Sequence, residues 1–511
     1  MKKTLSLLLC ILMVISVVLA SCSENGEESK APADESKAGD VSAADESKEE
    51  SQAEASEDPY RDANGKYVDK ELGEFKDEWK DYGEFKVLVY SNETQDTYFS
   101  EEIESLYDTT DDKIIEAVNT RNQEILDKYG IAVKAVPVAD VAAEMRKLMA
   151  SSNDMFDAAM PFMAGAAVFA QNGDLYDLTE FDSINLNAPW WDQNANASLS
   201  IAGRVFFTTG ALSIMQNIVS NGIAFNKKLL ADNFPEVNLY DMVRKGTWTL
   251  DEFYTLCKEF TRQGDDNEKM DENDIWGSMG GSDVLYFGSG ETICGKDADD
   301  LPVLTLAENN QRSIDVAQKV LELLGEKGTW YVTVDSFTDR TDIWGRTVKI
   351  FGEDQALFDI FAFSALKKFR AYDVVYGIVP VPKYNEDQDR YFSKCVANMA
   401  YGVCIPLNVR DAEFSAYMLE LLAVGGKNYL DSAYKTAVLK GKDANTEDDE
   451  EMLGIIFDSI VYDPAVVYQF GDINKIFTTA TAGTLISKLE ELSGPVQDAI
   501  DKLVEAYDSI G

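Results

Sequence analysis

Phe85-Lys86-Val87-Leu88-Val89-Tyr90, Ile131-Ala132-Val133-Lys134-Ala135-Val136 and Met155-Phe156-Asp157-Ala158-Ala159-Met160 are three apolar runs of strand length. Helical patterns lie between them. From Asp111 to Lys128, Ile115, Val118, Ile125 and Tyr129 recur at helical spacing, and Gly130 stands where a left-handed cap belongs. The second strand is expected to stop near Pro137, and Val141 to Ala150 reads as a second helix. Strand, helix, strand, helix, strand with short connections is the pattern of a parallel α/β sheet.

The same style continues downstream. Thr249-Leu250-Asp251-Glu252 is a capping box opening a helix whose inner face is Phe253, Leu256 and Phe260. Ile314, Ala317, Leu321 and Leu324 line another helix that ends at Gly325. Ala356 to Phe361 and Val374 to Val379 are further strands, and Pro495 is expected in the first turn of a final helix carrying Val496, Ala499, Ile500 and Leu503. No spanning stretch follows the N-terminal apolar run.

Upstream the composition changes. Between Ser23 and Asp58 there are thirteen acids and three lysines, with the pentapeptide Ala-Asp-Glu-Ser-Lys at both Ala33 to Lys37 and Ala44 to Lys48. Such a segment cannot bury enough apolar surface to offset its ordering entropy, so it reads as an extended acidic tether. Of the 511 residues, about 430 remain for folding, enough for two or three domains at about 150 residues each.

The formal charge is −45, which argues against nucleic acid or anionic lipid as a ligand, because it repels phosphates. Histidine is absent, which removes imidazole bases, Ser-His and Cys-His pairs and His-ligated zinc. Carboxylates remain, so a two-carboxylate hydrolase stays as a rival. Cys257, Cys294, Cys395 and Cys404 are widely spaced without a C-x-x-C pair, and are read as buried thiols, with a Cys395 to Cys404 disulfide as the alternative.

At the N-terminus, Lys2 and Lys3 precede an apolar run from Leu5 to Ala20, closed by Leu19-Ala20-Ser21-Cys22. A charged start, a short apolar core and small residues at the cut describe an export signal, residues 1–21. The stretch ending in Cys22 resembles the lipobox of bacterial lipoproteins, which implies that this thiol is acylated. The expected location is then the outer face of the cell membrane, held by lipid alone, with residues 22–81 as the tether.

Several segments, in order, resemble extracellular solute-binding proteins of bacterial ABC transporters, the sugar-receptor-like family 1. They are Asn119-Thr120-Arg121-Asn122 through Lys128-Tyr129-Gly130-Ile131, and Asp154 to Ala159 followed by Ala170-Gln171-Asn172-Gly173-Asp174-Leu175 with Leu178-Thr179. Gly222-Ile223-Ala224-Phe225-Asn226-Lys227-Lys228-Leu229-Leu230 resembles the family's first crossing into the second lobe. Gly246-Thr247-Trp248-Thr249 with Asp251-Glu252-Phe253, and Tyr376-Gly377-Ile378-Val379-Pro380 with Pro382-Lys383, resemble the next helix and the return crossing. The resemblance implies an α/β, two-lobed, periplasmic-binding-protein-like (type II) fold with a cleft between lobes. Lobe 1 is then expected over 82–218 plus 377–425, and lobe 2 over 219–376 plus 426–511. It further implies a monomer without cofactor that closes on a small solute, a carbohydrate, and hands it unchanged to an ABC permease. The alternatives are the surface-anchored hydrolase and a receptor serving a membrane kinase.

In open α/β sheets ligands sit outside the carboxyl ends of the strands. That rule selects Ser91-Asn92-Glu93-Thr94 after the first strand, with Asn92 and Glu93 as ligand residues, and Pro161-Phe162-Met163-Ala164-Gly165 after the third, with Phe162. The second loop lacks the polar groups of maltodextrin-type receptors. In Pro189-Trp190-Trp191-Asp192, adjacent indoles on a strand cannot face one core, so one is expected to reach the cleft beside the Asp192 carboxylate. Phe361, Asn398 and Tyr401 are candidates for the opposing wall, against the alternative that each packs in the core. Trp276, Tyr286, Trp330 and Trp344 form an aromatic pool without assignment. In a calcium-loop frame starting at Gln263, Asp265, Asn267, the Lys269 carbonyl, Asp271 and Asp274 occupy ligand positions, but Gln263 and Glu268 replace a first acid and the turn glycine. An acidic surface turn without metal is the preferred reading.

Overall fold

A computed structural model describes residues 58–93, 97–151, 155–264, 269–338, 340–439 and 447–510. The signal, Cys22 and most of the tether lie outside the described residues, which all belong to the unit Glu57–Gly511.

The first sheet grows from the three apolar runs of the N-terminal half. Strands β1 (Glu84–Tyr90), β2 (Ala132–Val138) and β3 (Ala158–Ala159) are parallel in the order β2-β1-β3. Helix α1 (Asp112–Tyr129) is capped by the Asp111 carboxylate on the Lys113 N–H. It ends at Gly130, whose φ of 74° returns its N–H to the Leu126 carbonyl. Ile114, Val118, Arg121 and Ile125 form its buried stripe, so Ile114 rather than Ile115 faces inward. Strand β2 does not stop at Pro137, which pairs opposite Val89. β1 is its sole neighbour in the sheet, and on an edge the missing N–H costs no ladder bond. Helices α2 (Val141–Ala150) and α3 (Met163–Gln171) follow β2 and β3.

The second sheet has five strands: β4 (Asn221–Asn226), β5 (Trp276–Met279), β6 (Tyr331–Val332), β7 (Ala356–Ala362) and β8 (Tyr376–Val379). Their order is β8-β4-β7-β5-β6, with β4 antiparallel to both neighbours and β5, β6 and β7 mutually parallel. The helix Leu250–Phe260, capped by Thr249, buries Leu250, Phe253, Leu256, Cys257 and Phe260 against this sheet. Its approach is so close that a Cβ on Gly277 of β5 would lie 2.2 Å from the Cys257 carbonyl oxygen.

Strand β8 belongs wholly to the second sheet, so the return to the first lobe begins after Val379, inside the segment 377–425 expected for lobe 1. Helix α4 (Ala412–Leu439) runs unbroken across position 425 because it is apolar along its length and packs on α1. Helix α5 (Glu447–Phe457) lies on β8, where Asp449 takes the Tyr240 hydroxyl and the Ile378 N–H. Helix α6 (Leu485–Ser509) reaches α3 in the first lobe, with Tyr507 edge-on to Phe206 at 4.9 Å. Pro495 sits inside α6 and not in its first turn. Leu485 and Leu489 extend the buried stripe of Val496, Ile500, Leu503 and Tyr507, and that burial offsets the lost backbone bond. Cys257, Cys294, Cys395 and Cys404 are all free and buried. Cys395 points at the Gln216 carbonyl and Cys404 at that of Ala159, which excludes the disulfide alternative. Among the described residues no helix is long and apolar enough to cross a membrane.

Gly426 of α4 fixes how closely that helix meets the first lobe, since a Cβ there would fall 2.0 Å from the Ala211 carbonyl oxygen. Gly426→Ala is expected to destabilise by about 1–3 kcal/mol through this overlap. Gly454→Ala in α5, where no atom stands within 4 Å of the added methyl, should be neutral or stabilise by about 0.5–1 kcal/mol. Urea denaturation of the two variants checks the pair.

Candidate functional site

Two chain segments join the sheets side by side. Thr208 bridges to Val403, and Ser220 to Cys395, so 208–220 and 395–403 run antiparallel between the lobes. The Val403 N–H donates to the Thr208 carbonyl at 2.7 Å, and the Val396 N–H to that of Val219 at 3.0 Å. At one end Cys404 bridges to Ala159 beside β3, and at the other Asn221 opens β4 opposite Ala362, the last residue of β7. The crossings therefore enter both lobes at the carboxyl ends of their parallel strands, where the sheet rule places a ligand.

On the first lobe that edge carries a stack of three rings. Phe162 lies on Tyr90 at 4.2 Å and 18°, and Tyr401 on both at 5.8 Å. Tyr90 ends β1, Phe162 precedes α3, and Tyr401 stands on the returning crossing, where it bridges to Phe162. Tyr90 and Tyr401 are buried, and the Tyr401 hydroxyl donates to the Tyr98 carbonyl. Burial pushes the Tyr90 phenol up to about 12, so it stays protonated as a donor. Phe162 remains half-buried, with Asn92 and Glu93 exposed just past the same strand end and Asn398 half-buried on the crossing. Tyr90 was missed in the sequence because the last residue of an apolar strand looks like any core residue.

The second lobe answers with a residue that the sequence left in a pool. Trp276, Tyr286 and Trp330 are core, whereas Trp344 is 70% exposed. It stands in the first turn of the helix Ile343–Gly352, which follows β6 after the connection 333–342 and leads into the start of β7. Trp344 is thus the exposed indole of the second lobe, at the amino end of a helix. Phe361 does not reach that edge: it is buried in β7, packed on Phe363 at 5.1 Å and on Phe369 at 6.3 Å.

Trp190 and Trp191 correct the expectation of an exposed indole, being 0% and 2% exposed. They sit in a turn and not on a strand, so both rings can enter one core. Their N–H groups donate to the two oxygens of Glu420 on α4, at 2.6 and 2.8 Å. Asp192 is equally committed: it caps the helix Gln193–Leu199 through the Ala195 N–H and accepts the Tyr462 hydroxyl at 2.7 Å. The turn does border a polar hollow of about 270 Å³, shared with Gln216, Asn217, Lys427, Asp431 and Lys435.

In the loop considered for calcium, Asp265 and Asn267 lie outside the described residues. Asp274 is buried and closes the turn, accepting the Gly264 N–H at 2.7 Å and the Asp271 N–H at 2.6 Å. Among the described residues no group of three or more acids or cysteines is placed to hold a metal ion.

Burial pushes the Glu420 carboxyl up to about 8, reinforced by Asp69 and opposed by the two indole donors. Between the ordinary glutamate value of 4.5 and about 8, the folded chain holds a proton that the unfolded chain has lost. The resulting stabilisation is present at low pH and disappears as pH rises through that window. Glu420→Gln should flatten this slope in urea denaturation run from pH 5 to pH 8; a variant curve parallel to the parent's would refute the assignment.

No family model matches the chain, and no curated protein matches it. Solved structures do. A cyclo/maltodextrin-binding protein complexed with maltotetraose superposes with a TM-score of 0.50 at 15% identity, covering 84% of this chain and 97% of that one. An ABC substrate-binding protein from Listeria monocytogenes in complex with cycloalternan gives 0.46 at 14% identity over 84% and 97%. A maltose/maltodextrin-binding domain from Bdellovibrio bacteriovorus bound to maltotriose gives 0.44 at 13% over 83% and 99%. Together with the two sheets and their paired crossings, the first superposition assigns this chain the two-lobed α/β type II fold of the periplasmic binding proteins.

Proposed function

We propose that this chain is an extracellular receptor that closes its two lobes on a small carbohydrate and delivers it, chemically unchanged, to an ABC importer while Cys22 holds it to the membrane by lipid. The observation that carries the reading is the half-buried Phe162 platform beside exposed Asn92 and Glu93 at the strand ends of one lobe, with Trp344 exposed at a helix start on the other. Aromatic faces bury the apolar C–H surface of a sugar ring, and Asn92 and Glu93 offer hydrogen bonds to its hydroxyls. A ligand touching both edges favours the closed arrangement by its differential affinity for that state. The maltotetraose in the cyclo/maltodextrin-binding protein that superposes at a TM-score of 0.50 supports the carbohydrate class.

Titration with a panel of mono- and oligosaccharides is expected to show saturable binding with no product on chromatography. Phe162→Ala and Trp344→Ala should each weaken it at least tenfold, about 1.4 kcal/mol. The chain has seven tryptophans and Trp344 is the exposed one, so ligand should shift the emission of the parent but not of Trp344→Phe. Glycan cleavage, or affinity indifferent to both aromatic variants, would overturn the reading. The anchor has its own check: Cys22→Ser should move the protein from the membrane fraction to the medium, with loss of an acyl mass increment.

A further inference from the structure

The loop that follows β1 is held from behind by α1. Arg121 is buried, and its Nη2 donates to the Glu102 carbonyl at 2.6 Å, while the Asn122 side-chain amide donates to that of Ile103 at 2.8 Å. The buried Glu102 carboxylate in turn accepts the Glu101 N–H at 2.8 Å and the Ser100 hydroxyl at 3.2 Å. Two residues of the Asn119-Thr120-Arg121-Asn122 motif thus serve neither the platform nor the crossings. They fix where Glu101 stands.

Glu101 lies on the first lobe and is 3% exposed, yet its partner comes from the second. Its Oε2 accepts the Lys367 ammonium at 2.7 Å, and Oε1 has no donor among the described residues. The same ammonium lies 5.7 Å from the centre of the Phe99 ring, and Arg370 donates to the Ala437 carbonyl near the end of α4 at 2.6 Å. Lys367 and Arg370 are fixed to the second lobe, because Phe369 of the helix Leu366–Phe369 packs on Phe351 at 5.1 Å and on Phe361. Two cations of one lobe are therefore seated on acceptors of the other.

Elsewhere the join between the lobes is deeper. The C-terminal segment bridges them with buried rings, Tyr507 on Phe206 of the first and Phe477 on Tyr286, which follows β5, at 4.7 Å. The tip of the hairpin 294–304 is bonded to the turn 200–203, where Asp300 takes the Ser200 hydroxyl at 2.9 Å and the Gly203 N–H at 2.8 Å. Lys367, by contrast, keeps 48% of its side chain exposed, so water and salt reach its bond more readily than they reach the buried rings. Parting the lobes here returns both charges to water. Joining them without Lys367 would instead bury the Glu101 carboxylate with no donor.

We infer that Glu101 and Lys367 form an electrostatic latch that holds the two lobes together before any solute arrives, with Arg121 and Glu102 as its mount. Such a latch sets how much of the ligand-free chain is open, and a solute can shift that balance only by its differential affinity for the two states. The inference rests on the two-lobed fold and not on the carbohydrate reading, and its test needs no solute.

Nitroxides coupled to p-acetylphenylalanine at exposed Asp127 of α1 and exposed Glu259 of the helix Leu250–Phe260 report the distance between lobes in the full chain by double electron–electron resonance, with the native thiols untouched. The ligand-free parent should give one narrow distribution. Lys367→Met should add a displaced population, raising its ratio to the first at least tenfold. Glu101→Gln/Lys367→Met leaves no charge to strand and should fall between the two, a coupling that a lysine with only a packing role would not show. Lys368→Met, its exposed neighbour, should leave the distribution unchanged. Raising NaCl from about 50 mM to about 1 M should displace the parent and leave the double variant as it was. A Lys367→Met distribution that overlays the parent's, an equal shift from Lys368→Met, equal responses of single and double variants, or a parent indifferent to salt overturns the inference, and none of these outcomes touches the sugar titration above.

Discussion

The antiparallel pairing of 208–220 with 395–403 is the constraint on which the rest of this molecule depends. Each segment taken alone would be a flexible connection. Bridged at Thr208–Val403 and Ser220–Cys395, they are tied together at both ends into one strap, and that tie fixes which sheet edges meet. Because both segments enter at strand carboxyl ends, the loops with freedom to vary and bind are gathered in one interlobe region. Gly210 and Gly402 mark how tightly the strap is packed: a Cβ on the first would lie 2.5 Å from the Trp190 carbonyl oxygen, and one on the second 2.8 Å from Ala166.

Long-range polar contacts then hold the surrounding elements to this strap. Glu420 ties α4 to the Trp190–Trp191 turn, and Arg410 grips the buried Asp157 beside β3 with Nε at 2.7 Å. Asp463 accepts the backbone N–H groups of Ile293 and Cys294, with burial pushing its carboxyl up to about 6. Lys367 of the second lobe reaches Glu101 of the first at 2.7 Å. Single exposed ion pairs contribute little, but the Asp157 and Glu101 carboxylates are buried, and removing Arg410 or Lys367 would strand a buried charge at a cost of about 3–5 kcal/mol. The strongly acidic composition thus has two components, the acid-rich sequence between Ser23 and Asp58 and a set of carboxylates built into the lobes.

Local rules carried the fold a long way. Hydrophobic period and cap residues announced α1 with Asp111 and Gly130, the Thr249 box, and the three runs that became β1, β2 and β3. Where they failed, a distant partner decided. Pro137 continues a strand because β2 lies on an edge, and edges are a property of the assembled sheet. Pro495 sits mid-helix because the stripe is buried on both sides of it and the segment Phe470–Lys475 packs there, Gly471 lying against Pro495 and Val496. The site shows the same division. Phe162, Asn92 and Glu93 follow from the strand-end rule alone, whereas Trp344 could not be told from Trp276 or Trp330, because which indole a lobe buries is decided by tertiary packing.

The Trp190-Trp191-Asp192 turn shows why a local motif can mislead. Aromatic rings beside a carboxylate describe a sugar site equally well and a core held together by indole N–H bonds, and the arbiter here is Glu420, 230 positions away in the chain from Trp190. Distant partners limit the chemistry in the same way. A two-carboxylate hydrolase needs two acids facing one cleft about 5–10 Å apart, one of them free to accept and return a proton. Asp192, Glu420, Asp157, Asp463 and Asp449 are buried acids, yet each spends its oxygens on backbone, indole, guanidinium or phenol donors within the fold. Acids tied in this way are committed to holding the fold together. At the strand ends of the first lobe, by contrast, Phe162 is only half-buried and Asn92 and Glu93 stand exposed, without such partners among the described residues to absorb them.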